Sequence, residues 1–143
     1  MANIFNVANY ILKVERAMSV WTLHKLCYYS QAWALAWTGK PLFEEDFQAW
    51  GNGPVCPELF AAHEGELVIS ELPNSYESEP LTDDEMDTIN CVRDYYGEFE
   101  PYHLREQVQS EEPWINARGN TPEGERSTVI ISKDSMGEYY GSL

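Results

Sequence analysis

The sequence predicts a mainly α fold: one compact multi-helix domain over residues 1–143, arranged around a central apolar helix at about 21–38, with a minor sheet of two or three short strands. Three observations predict it. The segment from Trp21 to Trp37 is apolar on nearly every face, which suits a helix enclosed by other helices. Segments before and after it, such as 3–16 and 82–97, repeat apolar residues at helical spacing. Runs with strand character are few and short. A chain of 143 residues buries about two thirds of its unfolded surface. Its 43% hydrophobic content separates it from disordered acidic chains.

Each element follows from local signals. Ile4, Val7, Ala8, Ile11 and Leu12 share one helical face over 3–16, with Asn3 as N-cap. Ser19 caps the central helix, and Thr38-Gly39-Lys40-Pro41 ends it with Gly at the terminus and Pro just beyond. Leu42-Phe43 opens an extended stretch through Trp50. Asn52-Gly53 signals a turn, and Pro54 then starts a helix running to about Glu64. Leu67 to Leu72 alternates weakly and reads as a short strand, and 73–80 as a loop. Thr82-Asp-Asp-Glu85 is a capping box that opens a helix with Met86, Ile89, Cys91, Val92 and Tyr96 inward. Helices are expected over Pro101 to Gln109 and from Glu112 to Arg118, a β-branched strand at Thr128 to Ile131, and a last turn of helix from Lys133 to Tyr140.

Charge is unevenly spread. Residues 64–112 hold 2 Lys/Arg against 15 Asp/Glu, a net of −13 out of the chain's −15. Nucleic acid binding needs cations on phosphates, so this surface repels it, whereas it attracts a basic protein. The bland reading is a solvated face that keeps the chain soluble. The longest apolar run, Ala32 to Trp37, is far below the roughly 20 residues of a membrane span. Met1 to Glu15 shows no secretory leader. Cys27, Cys56 and Cys91 fit neither a disulfide framework nor a metal knuckle, so free thiols and a cytoplasmic location are expected.

Catalysis is not expected. His24, His63 and His103 form no zinc motif, and no phosphate-binding glycine loop is visible. His24 and Cys27 share a helix face at i, i+3, but no third group orients them. Neither a cofactor nor a metal is implied.

The motifs carry a family resemblance. Lys25 to Ala36, KLCYYSQAWALA, resembles the "KLLYYAQAWxLA" helix of the Panacea antitoxin domain, found in SocA-like antitoxins and phage-encoded GepA-like proteins. Gly39 to Phe43 is similar to its "GxPLF" turn, and Ala49 to Pro57 to its "AWxxGPVxP" corner. Asn6 to Ile11 is similar to its N-terminal helix and Pro113-Trp114 to its late "PW" pair, so 1–143 reads as a single Panacea-type domain. The chain departs near Val108-Gln109, where many members carry Thr-His. The resemblance implies an antitoxin that neutralises a cognate toxin by direct binding. The toxins of the family include translation-blocking nucleotide or tRNA modifiers, mRNA-cleaving enzymes and membrane-active peptides. An alternative it implies is a phage-encoded adaptor or regulator of a host protein, since SocA delivers its toxin to the ClpXP protease.

The family-motif residues Lys25, Tyr28, Trp33, Trp50, Gly53, Pro54, Val55, Pro57 and Trp114 are read as scaffold or partner contact, with Trp50 packing on the helix that carries Trp33. Asp83, Asp84 and Asp87 are read as an acidic interface for a basic, RNA-handling toxin. An exposed edge strand permits either partner pairing or self-pairing into a homo-oligomer.

Overall fold

In the computed structural model, which describes residues 1–73 and 76–143, Asn3 closes a capping box with Asn6 and starts helix α1 (Ile4–Glu15). After β1 (Met18–Ser19), the Ser19 hydroxyl accepts the Trp21 and Thr22 amides and caps α2 (Val20–Thr38). Gly39 closes α2 at φ 74°, a left-handed conformation that glycine adopts without a Cβ penalty. The chain continues through β2 (Phe47–Trp50), β3 (Gly53–Val55), α3 (Pro57–His63) and β4 (Val68–Ile69). It ends with α4 (Asp83–Tyr96), α5 (Pro101–Gln109), α6 (Glu112–Arg118), β5 (Ile130–Ile131) and α7 (Lys133–Gly141). The expected loop at 73–80 lies partly outside the described residues.

Helix α2 is the axis of the domain. Leu23, Leu26, Cys27, Tyr28, Tyr29 and Ala32 are buried on different sides of it. Around them pack Ile4, Val7 and Ile11 of α1, Ile89 and Val92 of α4, and Met136 and Tyr140 of α7. An apolar helix gains most from such enclosure, because every face then leaves water. The fold is mainly α, as the all-round apolar pattern of α2 predicts.

The strands make two small antiparallel sheets. Met18 pairs with Ile69 and Ser19 with Val68 in the first. The second has the order β3-β2-β5: Gln48, Ala49 and Trp50 face Val55, Pro54 and Gly53, and Phe47 faces Ile131.

Several boundaries differ from expectation. Pro54 lies in β3, and Pro57 occupies the first turn of α3. The turn is Gly51-Asn52, a two-residue hairpin loop, and Gly53 is the first residue of the returning strand. Leu42 and Phe43 are buried without strand partners. The Gln31 side chain replaces a neighbouring strand, accepting the Leu42 amide and donating to the Phe43 carbonyl, both at 2.7 Å. The expected strands at 67–72 and 128–131 shorten to Val68–Ile69 and Ile130–Ile131, with the Leu67 and Val129 carbonyls each accepting one further amide, from Val20 and Ala49. The expected final helix, Lys133 to Tyr140, forms as α7 and runs one residue further, to Gly141.

Candidate functional site

The corner that β2, β3 and α3 form is assembled from indoles and guanidiniums. Trp50 is buried, its ring 5.0 Å from Phe60 and beneath Arg126, whose guanidinium carbon sits 3.6 Å from the ring centroid. A cation at this range is attracted by the ring quadrupole. Trp114 donates from Nε1 to the Trp50 carbonyl at 3.1 Å, and Arg118 donates to the Ala49, Pro122 and Glu125 carbonyls. Arg118 thereby fastens the 120s loop to β2. Phe60 in turn stacks on Trp21 at the start of α2. Trp33, just over three helical turns further along, belongs elsewhere: it donates to the Tyr96 hydroxyl and packs beside Trp37 and Tyr140. The expected packing of Trp50 on the helix α2 is thus indirect, through Phe60, and far from Trp33.

Beside this corner lies a cavity of about 290 Å³ between the first turns of α2, the Asn52-Gly53 segment and the start of α5. Lys25 and Arg105 both line it, and no carboxylate does. Lys25 is only 4% exposed, yet among the described residues the one hydrogen bond of its side chain is a 3.5 Å contact from Nζ to the Trp21 carbonyl. Burial, and then the Arg105 cation, push the Lys25 ammonium down to about 8. The buried Arg105 Nε has no partner among the described residues. Arg105 rests on Tyr102, one turn earlier on α5.

Gly53 explains how Lys25 fits. Its φ of +133° is open to glycine, and a Cβ there would come 3.2 Å from Lys25 Cε and 3.6 Å from Nζ. Pro54 and Val55, both buried, continue the strand. Pro57 starts α3, whose His63 meets His24 of α2 with Nε2 atoms 2.7 Å apart. The Cys56 amide donates to His24 Nδ1, so His24 carries its proton on Nε2 and donates to His63. Burial lowers both imidazoles, and each sits near neutral charge in the core. His24 is therefore paired with His63 and not with Cys27.

One turn along α2 from Lys25, at Tyr29, a carboxylate is buried against the helix. Glu111 Oε1 accepts the Tyr29 and Tyr140 hydroxyls at 2.7 Å each, and Oε2 accepts the Gln107 amide at 2.9 Å. Tyr28 reaches Tyr140 at 3.2 Å, hydroxyl to hydroxyl, and Tyr29 stacks on Tyr96 at 3.8 Å. Burial first, with Glu111 beside them, pushes these phenols up. A groove of about 400 Å³ opens above this network, between Trp33 and Trp37 of α2 and Cys91, Tyr95 and Tyr96 of α4. Trp37 and Tyr95 are exposed. Asp83, Asp84 and Asp87 are exposed on the first turns of α4 and form no ion pair among the described residues. Asp84, Asp87, Cys91 and Tyr95 follow one another at helical spacing, so the acidic turn runs into the groove.

The family model for the SocA-like antitoxin Panacea domain matches residues 23–115. The chain belongs to this antitoxin family. No curated protein and no solved structure matches it significantly. The matched Panacea span contains Lys25, Gly53, Arg105, Glu111 and Trp114, while Ser19 and Thr22 of the cavity, Arg118 and Arg126 of the corner and Tyr140 of the carboxylate network lie outside it. No helix among the described residues is long and apolar enough to cross a membrane.

Sequence reasoning named Lys25, Tyr28, Trp33, Trp50, Gly53 and Trp114 but not Arg105, Glu111, Arg118 or Arg126. Glu111 is one of two adjacent glutamates, Glu111-Glu112, of which the second is exposed. Nothing local separates them; only the fold turns one inward. The single readable signal was the Tyr102–Arg105 spacing on a helix that Pro101 opens.

Proposed function

We propose that this Panacea domain is an antitoxin that neutralises a cognate toxin by direct protein–protein binding in the cytoplasm, acting as a binder and not as an enzyme. Family membership carries the antitoxin reading. The contact surface proposed is the groove beside Trp37 and Tyr95, together with the acidic turn at Asp83, Asp84 and Asp87. Exposed Trp and Tyr suit an interface centre, and the net charge of −13 over 64–112 favours a basic, RNA- or translation-targeting toxin.

Growth rescue tests the reading. The neighbouring reading frame is expressed alone in a bacterial host, then together with this chain, and colonies are counted. Toxicity relieved by this chain is the expected result. A harmless neighbour would sink it and point to an adaptor that delivers a partner to a protease such as ClpXP. Trp37 is 55% exposed, so Trp37→Ala is expected to leave the melting temperature within a degree or two while reducing rescue, since surface changes cost about 0.5 kcal/mol or less. Charge reversal at Asp83, Asp84 and Asp87 is expected to slow association with the toxin, most at low salt. An on-rate unchanged at low salt would remove these three residues from the interface.

A further inference from the structure

Two buried cations of this acidic chain are treated differently. Arg118 spends its donors on three carbonyls, whereas Lys25, equally buried, has one marginal contact for three protons. Lys25 also faces a second cation, Arg105, across a shared cavity, with no carboxylate between them. Buried like charges are costly unless something compensates them. The other donors on the cavity wall are also free. Among the described residues, the Thr22 hydroxyl and the Asn52 amide make no side-chain hydrogen bond, and the Ser19 hydroxyl accepts two amides and keeps its proton to give.

We infer that this cavity binds the phosphoryl group of a small phosphate ester. Donors converge on it from three elements: Ser19, Thr22 and Lys25 on α2, Asn52 on the hairpin loop, and Arg105 on α5. That three-sided arrangement suits the three terminal oxygens of a phosphoryl group, and a guanidinium supplies paired donors for two of them. Charge decides against a carboxylate. A phosphate monoester carries about −1.5 to −2 at neutral pH and so balances both cations, whereas one carboxylate leaves one of them uncompensated. The first turn of α2, a 19-residue helix, adds its positive dipole end. A nucleic acid strand does not fit, because Glu98 and Glu100 just before α5 and Glu106 on it gather around a neighbouring depression and would repel the flanking phosphates. The volume of about 290 Å³ holds the head group with part of what it esterifies, against the exposed ring of Tyr102. Gly53 leaves Lys25 its place, since any side chain there would push on it.

Titration calorimetry of the full chain tests this with four probes: inorganic phosphate, a nucleoside monophosphate, the matching nucleoside, and acetate. The first two are expected to bind and the last two to give no heat. Lys25→Met and Arg105→Gln are each expected to weaken binding by about tenfold or more, the loss of one charge-assisted hydrogen bond. Asp83→Asn changes the net charge by one unit away from the cavity and is expected to leave binding within about twofold. Arg105 is half-buried on the helix surface, so Arg105→Gln carries the test even if Lys25→Met fails to fold. No heat with either phosphate would overturn the inference, as would binding that both variants leave unchanged, or acetate binding as tightly as phosphate. Toxin rescue plays no part in this experiment, so the antitoxin reading and this one can fail separately.

Discussion

Helix α2 packs against two buried ionic groups one turn apart, at Lys25 and at Tyr29, and they are accommodated in opposite ways. At Tyr29, Glu111 meets two phenols and an amide that leave its carboxylate fully engaged. One turn earlier, Lys25 is packed under Gly53 beside Arg105, with its donors mostly unspent. A buried charge with all its hydrogen bonds made is part of the framework, and removing it orphans its partners. One left short of partners weakens the fold and is open to a ligand. The difference teaches which of the two sites is structure and which is available for binding.

The largest expected effect breaks the satisfied site. Glu111→Ala strands the Tyr29 and Tyr140 hydroxyls in the core and is expected to cost about 3–5 kcal/mol, as for a buried charged partner removed, measured by urea unfolding. Glu111→Gln, which can still accept a hydrogen bond, should lose less. A cost below about 1 kcal/mol for the alanine variant would mean that the network is not a framework.

At Lys25 the sign reverses. Lys25→Met is expected to stabilise the chain by about 1–3 kcal/mol at pH 7, since a buried ion replaced by an apolar isostere is often neutral or stabilising. The gain should depend on pH. Lys25 is depressed from 10.5 to about 8 when folded, so between those values the unfolded chain holds more protons, and wild-type stability rises with pH there. The advantage of Lys25→Met therefore shrinks from pH 8 to 10 in paired thermal melts. A constant gap would place the ammonium in water. Gly53→Ala should act against the fold, by about 1–3 kcal/mol, because φ +133° strains any L-residue and its Cβ crowds Lys25.

The smallest effect lies on the acid side. Burial lowers His24 and His63 when folded, so as pH falls below 6.5 the unfolded chain takes up protons first and stability is lost. The melting temperature should drop on going from pH 7 to pH 5, and less so in a His63→Asn variant. An equal drop in both would assign the acid sensitivity to the carboxylates. The raised tyrosines act at the opposite extreme: above pH 10 the unfolded chain releases phenolic protons first, and stability falls with pH.

The comparison also marks where sequence reading succeeded and where it stopped. Helices α1, α2, α4 and α5 were legible nearly to the residue, because Asn3, Ser19, Thr82 and Pro101 act within a turn of where they stand. The strands were not, since a two-residue ladder such as Met18–Ser19 with Val68–Ile69 exists only when about 50 residues of chain bring the partner back. Pro54 misled for the same reason. A proline after Asn-Gly is as good a helix start as an edge-strand residue until its neighbours are known.

By itself the sequence determined the helical framework, the enclosure of α2 and the family motifs, because caps, periodicity and turns are short-range physics. Only the tertiary structure decided which charges are paired. Arg105 lies 80 residues from Lys25, and Glu111 lies 82 from Tyr29. Electrostatic energy depends on distance in space and on burial, and neither is written in the order of the residues.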